Sequence, residues 1–447
     1  MQVQPVTHLI VFARAPKVGT NKTRLIPAIG ADSATLVYRV LVERTLAQAR
    51  QLIGDRSCLA TIHFTGGEIF EVQAEFGHDF AYCEQIGPSL GERLKNATES
   101  AFSAGAKKVV VIGTDCPSLT SNDLKAAFEA LDNHDVILGP AVDGGYYLIG
   151  LNSQQPALFD GVDWSTSLVF EQTVQKAQAL ILRVQVLRKL SDVDYPEDLL
   201  PLRQSAEGEQ FPVKSQAGRL SVIIPTLNEA MNLRSTLHGV GKPQDDLEII
   251  VVDAGSTDQT LAIAQQHGCK VFAGNRGRAC QMNAGAAAAT GEYLLFLHAD
   301  TLLPDGYQQE IQRILATPVQ CGAFPLHIAA RRIALRIVEA GVALRSRFLQ
   351  MPYGDQALFF RAADFYEYGG FKHMAIMEDY EMIARIRRSG RIGIAERPVT
   401  TSARRWLKKG ILRTTLINQT CVIAYRLGFS DKTIAWLYHG TKKTRDQ

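Results

Sequence analysis

Apolar runs that end abruptly in polar loops set the rhythm of this chain. Residues 221–225 form one such run, read as a buried parallel strand that breaks into a loop carrying Asn228 and Glu229. The next run, 248–252, delivers Asp253 to the same sheet edge, and Gly255, Ser256 and Thr257 then turn the chain. A third, 292–297, ends in His298-Ala299-Asp300, where strand geometry predicts an imidazole and a carboxylate on one side of an extended segment. At Glu378-Asp379 the period lengthens to that of a helix, with Ile376, Tyr380, Ile383, Ala384 and Ile386 facing inward. The first half repeats the strand pattern: 9–13 runs into RAPKVGTNKTRL, 109–113 into Thr114-Asp115-Cys116-Pro117, and 136–140 into Asp143-Gly144-Gly145-Tyr146. Strands alternating with helices predict an α/β protein of two tandem domains with mostly parallel central sheets. The polar stretch 205–218 is the expected linker between domains 1–204 and 219–447.

Ligands of open α/β sheets bind at strand ends, and that is where these acidic residues collect. A carboxylate such as Asp253 can accept hydrogen bonds from a nucleobase or ribose. His298 and Asp300 can hold a divalent cation, which stabilises a departing diphosphate. Asp379, near a helix start, can take the proton of an attacking hydroxyl. In GNRGRACQMNAGAAAATG (274–291), small residues permit close backbone approach, and Arg276 and Arg278 offer forks for phosphate. Each feature has a plainer counterpart, a helix cap, a solvated face or a tight loop, and their order and spacing decide between them.

Taken together, these stations resemble glycosyltransferase family 2, inverting enzymes of the GT-A fold, over roughly residues 219–406. The resemblance implies that Asp253 binds the base and Asp300 the metal, with Asp379 the catalytic base. It also puts Asn228, Glu229, Arg276, Arg278 and Asn283 on the nucleotide, Arg405 on the diphosphate, and Gly354, Asp355, Glu378 and Trp406 toward the acceptor. His298 stands where the family usually has an aspartate, and imidazole suits Mn²⁺ better than Mg²⁺, so either metal is expected. Ser402-Ala-Arg-Arg-Trp406 lacks the glutamine of processive members.

The first half resembles the small nucleotidyltransferase-like proteins related to phospholactate guanylyltransferase, which also use a GT-A-type, Rossmann-like sheet. That resemblance implies Asp115 as metal ligand, Lys22 and Arg24 on phosphates, residues 87–94 near the nucleotide, and a nucleoside triphosphate as partner. The lysine that the resemblance leads one to expect after Pro27 is Ala28 here. The pair resembles the transferases associated with radical-SAM and selenodomain proteins and with arsenosugar biosynthesis.

Composition narrows the picture further. With 447 residues, 46% hydrophobic, 21% charged and a formal net charge of +3, the chain can build two ample cores and lacks the basic excess of a nucleic-acid binder. Met1 to His8 is too polar for a signal peptide, and the cysteines show no Cys-x-x-Cys spacing, which predicts reduced thiols in the cytoplasm. Two basic stretches add a surface role. Residues 328–349 form a helix candidate with Arg331, Arg332, Arg336, Arg345 and Arg347, and ten Lys or Arg after Thr401 face only Asp431 and Asp446. The tail reads either as a helix closing the sheet or as a peripheral contact with the inner face of an anionic membrane, and a membrane or carotenoid-type lipid is the alternative to a soluble acceptor. A nonenzymatic nucleotide sensor or scaffold is the competing function.

Overall fold

The computed structural model describes residues 7–55, 58–200, 202 and 216–439. They form two compact units, Met1–Asp194 and Tyr195–Gln447. The expected linker lies outside the described residues up to 215, and 216–218 already belong to a strand. Residues 195–200 group with the second unit. The reason is packing: Glu197 accepts a hydrogen bond from Asn275 at 3.0 Å, and a Cβ on Gly370 would meet Leu200 at 2.5 Å.

The first sheet contains β1 (Thr7–Arg14), β2 (Cys58–Thr65), β3 (Ala81–Glu84), β4 (Lys108–Ile112), β5 (Val136–Pro140), β6 (Tyr146–Leu151) and β7 (Val184–Val186), ordered β3-β2-β1-β4-β6-β5-β7. Only β6 runs against its neighbours. Helices cover both faces, which is why β1 is an apolar run: Leu9, Val11 and Ala13 enter one core and Ile10 the other.

In the second unit the large sheet contains β8 (Gln216–Thr226), β9 (Leu247–Asp253), β10 (Lys270–Ala273), β11 (Gly291–Phe296), β13 (Cys321–Ala323), β15 (Phe359–Arg361) and β16 (Ile392–Ile394). Its order is β10-β9-β8-β11-β15-β13-β16, again with one reversed strand, β15. Numbered within its own sheet, this is the same order and direction as the first. Three short strands, β12 (Thr301–Leu302), β14 (Leu326–Ile328) and β17 (Val399–Thr401), form a separate sheet. Both large sheets are thus mostly parallel α/β sheets, as the alternation of apolar runs predicts.

The shared topology puts Asp115 and Asp300 in equivalent places, each just beyond the fourth strand of its sheet. In both, the chain leaves the first strand toward one side and returns on the other, so a crevice opens between the ends of the first and fourth strands. Helix Arg278–Ala288 lies against β8 so closely that a Cβ on Gly285 would come within 2.4 Å of Ile223. Its run of small residues is therefore a packing requirement that also fixes where its N-terminus points.

The helix expected over 328–349 begins later, at Ile333, and runs to Phe348, because Ile328 closes β14 instead. The basic tail forms helices Arg404–Lys409, Ile411–Arg426 and Asp431–His439. Among the described residues, no helix is long and apolar enough to cross a membrane.

Candidate functional site

The loops after β8 and β9 are laced together before any ligand is considered. Asn228 takes a left-handed backbone conformation (φ 56°), and its side-chain oxygen accepts the Thr257 N–H at 2.8 Å. The N–H groups of Asn228, Glu229 and Ala230 donate to Ser256, Thr260 and Asp258 in turn. Asp253 is the hub. One carboxylate oxygen accepts Thr226 Oγ1 (2.9 Å) and Ser256 Oγ, and the other accepts the N–H groups of Gly255 (3.0 Å) and Ser256 (2.7 Å). A carboxylate has about four lone-pair sites, and four donors fill them. In this arrangement Asp253 holds the loop, and a nucleobase would have to displace one of those donors.

Asn283 also departs from its expected place on the nucleotide. It is buried, donates to the Phe371 carbonyl at 2.7 Å and accepts the Phe371 N–H at 3.0 Å. Both ends of the amide are spent clasping the chain beyond Gly370. Helical periodicity alone cannot distinguish such an inward asparagine from a ligand-facing one.

Beyond β11 the chain does not stay extended. The Thr301 N–H closes a turn onto the His298 carbonyl at 3.1 Å, so the imidazole and the Asp300 carboxylate keep different company. His298 lines a small cavity with Met282, Phe296, Gly354, Leu358, Phe371, Glu378 and Asp379. Burial, helped by the charge of Arg278, pushes its imidazole down to about 3, so it is neutral. Asp300 neighbours Glu229 and Arg404 instead, and burial, then the Glu229 charge, raises its carboxyl above the ordinary range. Glu229 itself accepts Asn232 at 2.7 Å and Arg404 at 3.3 Å.

The carboxylate pair that opens helix Glu378–Ile386 follows Met377, another non-glycine residue held at positive φ (75°). Such a backbone persists only where its surroundings impose it. Glu378 is buried, and burial, then the adjacent Asp379 charge, lifts its carboxyl to about 7. The two oxygens of Asp379 accept the N–H groups of Gly354 (2.6 Å) and Tyr380 (2.7 Å). A Cβ at Gly354 would approach Asp379 Oδ2 to 3.0 Å, so the absent side chain lets the two segments meet. Asp355 follows, with its carboxyl raised by burial and its Oδ1 buried without a hydrogen-bond partner among the described residues.

Arg278 joins these groups. It starts the helix behind Gly277, and its charge acts on His298, Asp300, Asp355 and Glu378 alike. Arg276 is exposed two residues earlier. Trp406 is half-buried on helix Arg404–Lys409, and the side chain of the neighbouring Arg405 lies outside the described set. Sequence reading missed Gln281, whose amide donates to the carbonyls of Thr226 and Val252 at 2.9 and 2.8 Å and ties the helix to both strands. Among the described residues, no three His, Cys, Asp or Glu gather as a metal-binding group.

In the first unit, Lys22 sits at φ 48° with its side chain only 6% exposed, 2.7 Å from Asp115 and 3.1 Å from Asp194. Arg24 reaches Asp194 at 2.8 Å. The lysine and arginine expected on phosphates, and the aspartate expected on a metal, are thus engaged with one another or with Asp194, because a buried ammonium requires a counter-charge. Residues 87–94 hold a capping box in which Ser89 and Glu92 satisfy the start of helix Leu90–Ser103.

Residues 45–166 match the family described as "Uncharacterized protein conserved in bacteria (DUF2064)", and residues 221–363 match "Glycosyl transferase family 2". A PGL/p-HBAD biosynthesis glycosyltransferase of Mycobacterium bovis is 40% identical over 100 residues, covering 20% of this chain and 37% of that protein. An uncharacterized glycosyltransferase of a Nostoc species is 35% identical over 107 residues, 22% of this chain and 33% of its own length. The chain thus spans little more than a third of these curated relatives. A putative nucleotide-diphospho-sugar transferase of Desulfovibrio desulfuricans, whose crystal structure is known, is 32% identical, with a TM-score of 0.43, over 46% of this chain and 93% of its own. The chain therefore joins a domain of the bacterial family DUF2064 to a glycosyl transferase family 2 domain.

Proposed function

We propose that the second unit transfers a glycosyl group, with inversion, from a nucleotide sugar to an acceptor hydroxyl. The observation that carries this reading is that Arg278 acts both on Asp300, which neighbours Glu229 and Arg404, and on Glu378, which stands beside Asp379. Asp379, steadied by two backbone N–H groups, removes the acceptor proton as the oxygen attacks the anomeric carbon. The bond from that carbon to the diphosphate oxygen breaks on the opposite face, and the nucleoside diphosphate leaves. Arg278, with Arg276 and Arg405, supplies positive charge for the diphosphate. Asn228 and Glu229 shape the nucleotide side, and Asp253 acts there by holding the loop.

Oxygen donors suit Mg²⁺ or Mn²⁺, and Asp300, destabilised as an anion by burial and by Glu229, fits a site that gains from a divalent cation. Such a cation would be held by Asp300 together with oxygens of the donor, and would neutralise charge developing on the leaving group. His298 points to the Glu378–Asp379 cavity and is a contact for the reacting groups in this reading.

For the first unit we propose nucleotide binding, supported by its matching strand order and by Asp115 standing where Asp300 stands. A nucleoside triphosphate with its cation would exchange the present ion pair, placing phosphate on Lys22 and Arg24 and the cation on Asp115. Kinship of the pair with the radical-SAM and selenodomain-associated transferases belongs to the same reading and rests on the motifs.

The test is a panel of nucleotide sugars and nucleoside triphosphates with Mn²⁺ or Mg²⁺, scored on the full chain by thermal shift and by release of nucleotide or pyrophosphate. Stabilisation by a nucleotide sugar, lost in Asp300→Ala, supports the transferase reading. A chain that binds nucleotides and releases none would favour the sensor or scaffold reading.

A further inference from the structure

Helices Ile333–Phe348 and Ile411–Arg426 meet over only part of their length. Between them lies a groove of about 950 Å³, walled mainly by aliphatic side chains, among them Ile337, Val338, Leu344, Leu416 and Val422. That volume is at the upper end of small-molecule sites and exceeds what one sugar ring or a small hydrophilic acceptor would fill. Thr415, Asn418 and Gln419 line it from helix Ile411–Arg426, and its charged groups are Arg345, Asp355 and Arg426. Tyr353, Asp355, Tyr380, Arg345 and Arg426 also line it, and Gly354 and Asp379 line the adjoining small cavity, so the groove adjoins the reacting carboxylates.

Among these polar groups, Arg345 stacks 3.4 Å over the Tyr353 ring, Arg426 donates to the Tyr380 hydroxyl at 2.8 Å, and Asp355 Oδ1 and Arg345 Nε are buried without hydrogen-bond partners among the described residues. Buried polar atoms left unsatisfied cost stability, and a polar ligand group supplies what they lack. The apolar walls carry the opposite signature: Ile337, Leu344, Phe348, Leu412 and Leu416 are 61–80% exposed to solvent. Side chains of this kind, clustered along two facing helices, form a continuous apolar surface that water covers poorly.

We propose that this groove is the acceptor subsite and that its occupant is an amphipathic lipid, with one polar head bearing the acceptor hydroxyl and a long hydrocarbon chain. The head meets Asp379, Asp355 and Arg345, and the chain runs between the two helices. A sugar acceptor would leave the aliphatic walls wet, whereas a wholly apolar ligand would leave Asp355 Oδ1 and Arg345 Nε unsatisfied. Assigning the occupant as acceptor rests on the transferase reading, while the groove's affinity for a hydrocarbon chain does not.

The direct test uses straight-chain alkanols from hexanol to tetradecanol as probes, measured by displacement of an environment-sensitive fluorophore from the full-length protein. Affinity is expected to rise roughly fourfold per added methylene until the groove is filled. Gly341 lines the groove, stands within a helix, and has open space where a Cβ would project. Gly341→Phe should therefore plug the cavity without strain and end the rise at a shorter chain, and Leu416→Ser, at an exposed position, should lower affinity for the long alkanols several-fold. Thermal unfolding checks that each variant folds. Affinity independent of chain length, or a full rise retained in both variants, overturns the proposal. Failure of every nucleotide sugar to shift the melting curve, with alkanol binding intact, overturns the transferase reading and the acceptor role while the lipid site stands.

Discussion

Replacing Asp379 with asparagine changes one oxygen to nitrogen at the point where the acceptor proton is proposed to go. General-base catalysis contributes about 10²–10⁴ in rate, so kcat should fall by that factor, equivalent to about 3–5 kcal/mol of barrier. The structural cost is smaller and separable. Two backbone N–H groups, from Gly354 and Tyr380, now each have a carboxylate oxygen at 2.6 and 2.7 Å. The amide keeps one oxygen, so one N–H faces an NH₂ group and loses its acceptor, at about 1–3 kcal/mol. Loss of the Asp379 charge offsets part of this, because that charge is the second cause, after burial, of the raised Glu378 carboxyl. The variant should therefore fold, bind nucleotide sugar with unchanged affinity, and turn over at least a hundredfold more slowly. The assay is nucleotide release at saturating donor and acceptor, with a donor thermal shift as control. Wild-type kcat in Asp379→Asn would refute the base assignment, and a matching loss confined to Glu378→Gln would move the role to its neighbour.

Glu378 also makes a pH prediction. Its carboxyl is raised in the folded state, so its contribution to stability is fully present below the unfolded value near 4.5 and is lost as pH rises through about 7. Between those limits the wild type should lose melting temperature relative to Glu378→Gln, and parallel curves across the range would contradict the burial argument. Asp253→Ala strips four donors of their acceptor, two of them backbone N–H groups, and should destabilise the second unit by about 2–4 kcal/mol in urea unfolding; unchanged stability with lost donor binding would instead show that Asp253 serves the nucleotide directly. In the first unit, replacing both Asp115 and Asp194 with asparagine leaves the buried Lys22 ammonium without a counter-charge and should cost about 3–5 kcal/mol, read by thermal unfolding, whereas near-neutrality would mean the ion pair is not holding that loop.

Much of the architecture was legible because it depends on local pattern. Continuous apolar runs mark strands buried on both faces, so spacing placed Asp115 and Asp300 beyond strand ends and Glu378–Asp379 at a helix start, where the structure has them. Arg278 opens a helix directly behind Gly277, as the composition of that loop suggests. What failed to read was the partner of each group. Nothing in the local sequence says that Asp253 accepts from Thr226, 27 positions away, or that Asn283 clasps Phe371, 88 positions on.

The sequence by itself determined the two α/β halves, the order of their strands along the chain, and the chemical types gathered at the strand ends, since hydrophobic periodicity and turn residues act over a few residues. Only the tertiary structure decided that both sheets share one strand order and that His298 and Asp300 part company at a turn. It also decided that Lys22 pairs with Asp115, and that two helices meet only in part and leave an apolar groove lined by Asp355 and Tyr380. Those outcomes follow from burial, which makes each charge find a counter-charge and each amide a partner, and which segment supplies that partner is settled when distant strands and helices pack.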